Sequence, residues 1–228
     1  MCHELVDGLS IARISEDFTT AARQELEALL ETAQRSKGGG GSSEMLELGW
    51  SFQWAEQGER KLARELGEAP ATRALLRAGM AALGGPHEGF REAGLNVIVR
   101  RYTVGQGLPL HVDRREGDRK HKLSWFQEPI YGCVLCNTSP QSLFLEVSRG
   151  GERVYVPEEA GTCFLQQGAS RFESRHGVEP LESGMRMSVT WRWFIEDGET
   201  ARREYCGNDE CAEYAVEGWS HCGRCSKT

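Results

Sequence analysis

Three side chains in this 228-residue chain have the types and spacing of a metal site. His111 and Asp113 stand two apart in "LPLHVD", just past an extended run and the turn "GQG". Residues two apart in extended backbone point to the same side, so both can address one ion. Alone, an H-x-D pair is a common chance event and fits an ordinary polar loop. His176 in "SRHGV" is the sole histidine between residues 122 and 220, and it precedes the last strong extended run. By itself it is equally a loop histidine bonded to backbone. Together, two imidazoles and a carboxylate form the ligand set that leaves three positions open on a non-haem Fe(II) centre.

The run "RMSVTWRWF" alternates without a break, with Met187, Val189, Trp191 and Trp193 on one face and Arg186, Ser188, Thr190 and Arg192 on the other. The first face is a core face. The second carries two guanidiniums, which six residues of strand separate by roughly 20 Å between Cα atoms. Their long side chains close much of that gap, leaving room for a short diacid. Arginine's planar fork pairs bidentately with carboxylates, and each charge-assisted bond contributes about 1.5 to 3 kcal/mol. Two solvated arginines on an exposed strand are the bland alternative.

The order "YTVGQGLPLHVD", "LQQGASRFESRHGV", "RMSVTWRWF" resembles the AlkB family of Fe(II)/2-oxoglutarate-dependent dioxygenases over residues 95 to 194. The specific pieces are "HVD", "GASRFESRHGV" and the pattern R-x-S-x-T-x-R. The resemblance implies that His111, Asp113 and His176 bind iron and that Arg186 holds the distal carboxylate of 2-oxoglutarate. Arg192 would lie near its other end, with Ser188 between them and Tyr102 donating a hydrogen bond. The family often carries asparagine two residues before that tyrosine; this chain carries Arg100. It also implies a reaction that consumes O2 and 2-oxoglutarate, yields succinate and CO2, and hydroxylates a C–H bond. On an N-methyl group the product collapses to formaldehyde and the demethylated nitrogen.

Family members act mostly on alkylated bases of DNA or RNA, and some act on protein. Beside "HVD" the run "RREGDRKHK" holds Arg114, Arg115, Arg119, Lys120, His121 and Lys122, six basic side chains in nine residues. A phosphate backbone would pass there, although the same run serves as a solvated loop. Trp125 and Phe126 follow, able to stack on an extruded base or to lie in the core. The resemblance places Arg171 near the pocket, touching substrate or ordering the site. The leading expectation is oxidative demethylation of an N-alkylated nucleobase in single-stranded or structured RNA or DNA. The alternatives are the same chemistry on a protein side chain, as demethylase or hydroxylase, and a non-catalytic binding module.

Cys206, Cys211, Cys222 and Cys225 close the chain with the spacing C-x4-C-x10-C-x2-C, near that of small zinc ribbons in which four thiolates close a structural site. Free thiols, or His221 in place of one cysteine, are the competing readings. Such an ion would supply folding free energy to a short tail. Cys133 and Cys136 lie in an extended run where residues three apart face opposite sides, so they read as core cysteines.

The elements that must position these groups follow from patterning. Residues 16 to 36 place Leu26, Leu29 and Leu30 at helical spacing behind Thr19 and Thr20 as caps. "KGGGGSS", residues 37 to 43, reads as a flexible linker, in appearance an engineered replacement for a deleted loop. Residues 58 to 85 predict one or two helices broken near Pro70 and stopped by Gly84 and Gly85. From residue 95 onward, short β-branched and aromatic runs alternate with turn residues. The expected class is α+β, a double-stranded β-helix (jelly-roll) that closes its own edges. Its expected parts are an N-terminal helical extension (1–94), a dioxygenase core (95–198) and a Cys-rich zinc-binding tail (199–228).

Lys plus Arg number 27 against 34 Asp plus Glu, a net charge of −7, which argues against a generic nucleic-acid coat and requires a local patch for any polyanion. There is no apolar run long enough to span a membrane and no basic-then-apolar leader. The expectation is a monomer in the nucleus or cytoplasm with eight cysteines as thiols or metal ligands.

Overall fold

The computed structural model describes residues 2–32, 43–51, 62–85, 90–112, 126–139, 143–146, 153–172 and 174–194. The chain divides into two compact units, residues 1–113 with 126–194, and residues 114–125 with 195–228. Every residue of the second unit lies outside the described ones. So do Asp113, most of the Gly-Ser segment, the basic run with Arg119 and Lys120, Trp125, and the four tail cysteines.

The first unit opens with β1 (His3–Val6) and β2 (Leu9–Arg13), followed by α1 (Glu16–Thr32). Next come β3 (Glu44–Trp50), β4 (Leu62–Arg64), a 3-10 turn at Leu66–Glu68 and α2 (Pro70–Ala82). Then follow β5 (Leu95–Thr103), β6 (Leu108–His111), β7 (Ile130–Asn137), β8 (Leu143–Glu146) and β9 (Arg153–Tyr155). The last elements are β10 (Thr162–Gln166), the short α3 (Gly168–Phe172), β11 (Arg175–Val178) and β12 (Met185–Trp193). Among the described residues no helix is long and apolar enough to cross a membrane.

The strands form two sheets, one ordered β1-β2-β10-β7-β12-β5-β3-β4 and one ordered β6-β11-β8-β9, and every strand pair in them is antiparallel. The first 94 residues are therefore more than a helical extension. They supply four strands to the large sheet, with β2 paired to β10 and β3 to β5.

Both helices cover one face of that sheet. Thr19, Ala22, Leu26 and Leu30 recur at helical spacing on α1 and are buried; on α2 the buried set includes Leu75, Leu76 and Met80. They pack with Val97, Val99, Cys133, Met187, Val189 and Trp191 in one core. Each fully buried leucine contributes about 1.5 to 3 kcal/mol relative to exposure. Trp191 stacks on Tyr131, with centroids 5.5 Å apart.

Several local expectations need correction. The α1 cap is Ser15, whose Oγ accepts from the Asp17 amide at 3.3 Å. Thr19 is instead buried inside the helix and donates its hydroxyl to Glu16 O at 2.9 Å. Pro70 does not break a helix; it starts one, because a first-turn residue needs no amide hydrogen. Residues 62 to 64 pair with β3 rather than continuing a helix. The α2 N-terminus is capped across space by Glu25 of α1, which accepts from the amides of Ala71 (3.0 Å) and Thr72 (2.8 Å). Ser43, counted with the linker by composition, is buried. Cys133 and Cys136 share one core cluster because the β7–β12 register shifts between Met187 and Ser188.

Candidate active site

β5 and β12 pair in unbroken register from Leu95 with Trp193 to Thr103 with Met185. The period of two therefore sets four pairs on the face away from the helices: Tyr102 with Arg186, Arg100 with Ser188, Ile98 with Thr190, and Asn96 with Arg192. The alternation read from "RMSVTWRWF" is thus the division between core and cavity. Seven of these eight residues line a cavity of about 120 Å³, the exception being Asn96. A water needs roughly 10–15 Å³ of such space, so a small organic molecule is accommodated. Leu108 and His111 of β6 and His176 and Val178 of β11 also line it, as do Leu9, Ile130, Val156, Phe164 and Gln166. Residues of both sheets therefore share this cavity.

His111 and His176 are directly opposed in the β6–β11 ladder, with ring centroids 4.4 Å apart. Gly177 permits this closeness: a Cβ there would meet Leu108 O at 2.7 Å and Leu110 N at 3.2 Å. His111 Nδ1 lies 2.8 Å from Pro109 O. A carbonyl only accepts, so the proton is on Nδ1 and Nε2 is the basic nitrogen. A histidine ligand held through its other nitrogen in this way suits a divalent metal such as iron. Two imidazoles side by side fit two thirds of the expected triad. Among the described residues no group of three metal-ligating side chains occurs, Asp113 lying outside them.

Arg186 is buried, and its Nε donates to Glu158 Oε1 at 2.5 Å in an ion pair whose side chains are each 2% exposed. Its Nη1 donates to Ser188 Oγ at 2.8 Å, and its Cζ stands 5.6 Å from the Tyr102 ring centre. Glu158 also accepts from Asn137 Nδ2 at 3.3 Å. Arg192 donates from Nε to Asn96 Oδ1 at 3.3 Å and lies with Cζ 3.8 Å from the Phe126 ring centre. Asn96 is in turn fixed by donating Nδ2 to Trp50 O at 2.6 Å. Burial pushes the Tyr102 phenol above its ordinary pKa, against the opposing pull of Arg100 and Arg186. It therefore stays protonated at neutral pH and able to donate.

Two residues expected at the substrate sit elsewhere. Phe126 is 4% exposed and packs on Phe194 with centroids 4.6 Å apart, so it is a core ring under Arg192 and offers no face to a base. Arg171 is fully buried and absent from the cavity wall. It donates from Nη1 to Gln127 O and from Nη2 to Phe126 O, both at 2.8 Å, which bolts residues 126–127 to α3. Sequence reasoning missed Glu158, since nothing local marks it and its partner Arg186 is 28 positions away. It noticed Arg100 only as a departure from a motif.

No family model matches the chain, and no curated protein matches it. Solved structures do. A prolyl hydroxylase from Trichoplax adhaerens, in complex with a peptide fragment of the hypoxia inducible factor oxygen degradation domain, is 14% identical with a TM-score of 0.55, over 83% of this chain and 84% of that one. A prolyl-4-hydroxylase from Pseudomonas putida is 15% identical with a TM-score of 0.53, over 83% of this chain and 93% of that one. The likeness is one of fold: the described unit shares a jelly-roll arrangement with these two structures.

Proposed function

We propose that the chain is an Fe(II)/2-oxoglutarate-dependent oxygenase that oxidises a C–H bond of a protein side chain. One observation carries the chemistry: two opposed histidines and the Arg186–Ser188–Tyr102 cluster line a single cavity. The choice of a protein substrate is supported by the fold-level neighbour solved with a peptide.

His111 and His176, with Asp113 from outside the described residues, would hold the iron. Bound there, it would supply O2 activation coupled to decarboxylation of 2-oxoglutarate. The protein residues bind and orient. Arg186, Ser188 and the protonated Tyr102 offer donors to a carboxylate, and the β5–β12 ladder fixes them relative to each other. Leu9, Ile130, Val156 and Phe164 give the cavity an apolar side that excludes water, which strengthens every charged contact inside it. Pro109 O holds the His111 tautomer.

A second reading, demethylation of an N-alkylated nucleobase, rests on the AlkB-like order of "HVD", "GASRFESRHGV" and R-x-S-x-T-x-R. The buried position of Phe126 removes one of its stacking platforms.

Purified protein with Fe(II) and 2-oxoglutarate should release succinate, and mass spectrometry of a mixed panel should identify the substrate. Proline-containing and methylated peptides should gain an oxygen or lose a methyl while methylated oligonucleotides stay unchanged. Turnover of oligonucleotides alone would select the second reading, and no succinate under any condition would end both.

A further inference from the structure

We infer that Arg100 is the residue that supplies the net positive charge for the co-substrate, binding the carboxylate that docks at Arg186. This rests on the oxygenase reading above and assigns a role within the same cavity.

Arg186 is poorly placed to act alone. Its guanidinium already shares a buried ion pair with Glu158, so the pair as a whole carries no net charge. A dianion leaving water for this cavity needs a counter-charge that is not already neutralised. Two further guanidiniums line the cavity, Arg100 and Arg192; Arg192 belongs to the Asn96 end of the ladder over Phe126, and Arg100 is the one next to the Tyr102–Arg186 pair. It lines the same cavity, is the register partner of Ser188, and stands two residues from Tyr102 on the same face of β5. Ser188 accepts from Arg186, and the backbone position of Arg100 lies directly across the ladder from Ser188. The partner of Arg100 is neutral: Nη1 donates to Ser43 Oγ at 3.1 Å. No carboxylate is paired with it among the described residues. A guanidinium has five N–H donors, and this bond uses one while aiming the group. Ser43 is itself 5% exposed, so it is a built support and not a surface contact.

Arg186 with Glu158 therefore acts as a fixed, neutral hydrogen-bonding shelf, and Arg100 as the cation beside it. The charge of the cavity wall matches an acid with two carboxylates better than an acid with one.

Calorimetric titration tests this, using the full chain loaded with Mn(II) in place of iron, with no turnover needed. The probes are 2-oxoglutarate and 2-oxopentanoate, the same carbon chain lacking one carboxylate. R100Q should bind 2-oxoglutarate at least about tenfold more weakly than wild type, the loss expected for one charge-assisted contact, while its affinity for 2-oxopentanoate changes little. R100K should recover part of the loss. R100M, which keeps the apolar stem, replaces R100Q if the latter fails to fold by circular dichroism. An R100Q or R100M protein that keeps the wild-type preference for 2-oxoglutarate overturns the inference and leaves the oxygenase reading intact. Wild-type protein that binds neither acid overturns that reading itself.

Discussion

His111 and His176 face each other across the ladder of the small sheet, one at the last position of β6 and the other second in β11. Strand pairing, and not a loop, brings the two imidazoles within 4.4 Å of each other. H111A and H176A should each abolish 2-oxoglutarate-dependent succinate release, by more than about a hundredfold. Melting temperatures of the metal-free variants should stay close to wild type. A variant that keeps both turnover and Mn(II) binding would show that the histidine pair is not the metal site.

Gly177 stands between the paired positions, and a side chain there collides with the β6 backbone. G177V should push β6 off β11 and weaken Mn(II) affinity by about 10- to 100-fold, while the far-ultraviolet circular dichroism of α1 and α2 is unchanged. Undiminished affinity would mean that strand spacing does not control the site.

The Arg186–Glu158 pair is buried on both sides, so removing one partner leaves a charge without compensation. E158A is expected to lose about 3–5 kcal/mol of folding stability in urea titration, several times the loss from an exposed pair such as Arg13–Glu159. A change below that of R13A would contradict the assignment.

Burial raises the Tyr102 pKa above its ordinary value of 10.0. Below about pH 10 the phenol is protonated in both folded and unfolded chains, so it makes stability neither rise nor fall. Above that value the unfolded chain ionises first, and stability is lost as pH rises toward the raised folded value. Tyr131, also raised by burial, adds to the same slope. Y102F should flatten the alkaline loss measured by denaturant titration across this window; an unchanged slope would count against it.

Glu25 binds the first amides of α2 from a neighbouring helix. E25A should cost about 0.5–2 kcal/mol, the usual range for a lost cap, with wild-type binding of 2-oxoglutarate at low temperature. Loss of that binding in a folded E25A protein would link the helical layer to the cavity directly.

Much of the cavity was legible because it obeys a local rule. The strict alternation of Arg186, Ser188, Thr190 and Arg192 needs only a period of two, and β12 keeps it over nine residues. The strand character of residues 95 to 103, 130 to 137 and 162 to 166 was equally plain from β-branched and aromatic runs. What failed was non-local. Glu25 as a cap, Glu158 as a counter-ion and Ser43 as a support each act on residues 28 to 57 positions away. Leu62–Arg64 became a strand through pairing with β3, which overrode its helical neighbourhood. Phe126 was given two fates by composition, and only its neighbours Phe194 and Arg192 decide for the core.

β6 is four residues long and, among the described residues, sits at the rim of its sheet with β11 as its sole strand partner. Short rim strands open at low free energy, so the His111 side of the pair is the part most readily detached. An ion held by both imidazoles would act as a clasp across that ladder, and by linkage its hold on the folded form grows with its free concentration. Metal loading should therefore slow amide exchange in β6 far more than in β12, which is locked between two partners at mid-sheet. Vacating the clasp would let the histidine-bearing wall of the cavity loosen while the β5–β12 wall that carries its arginines stays rigid.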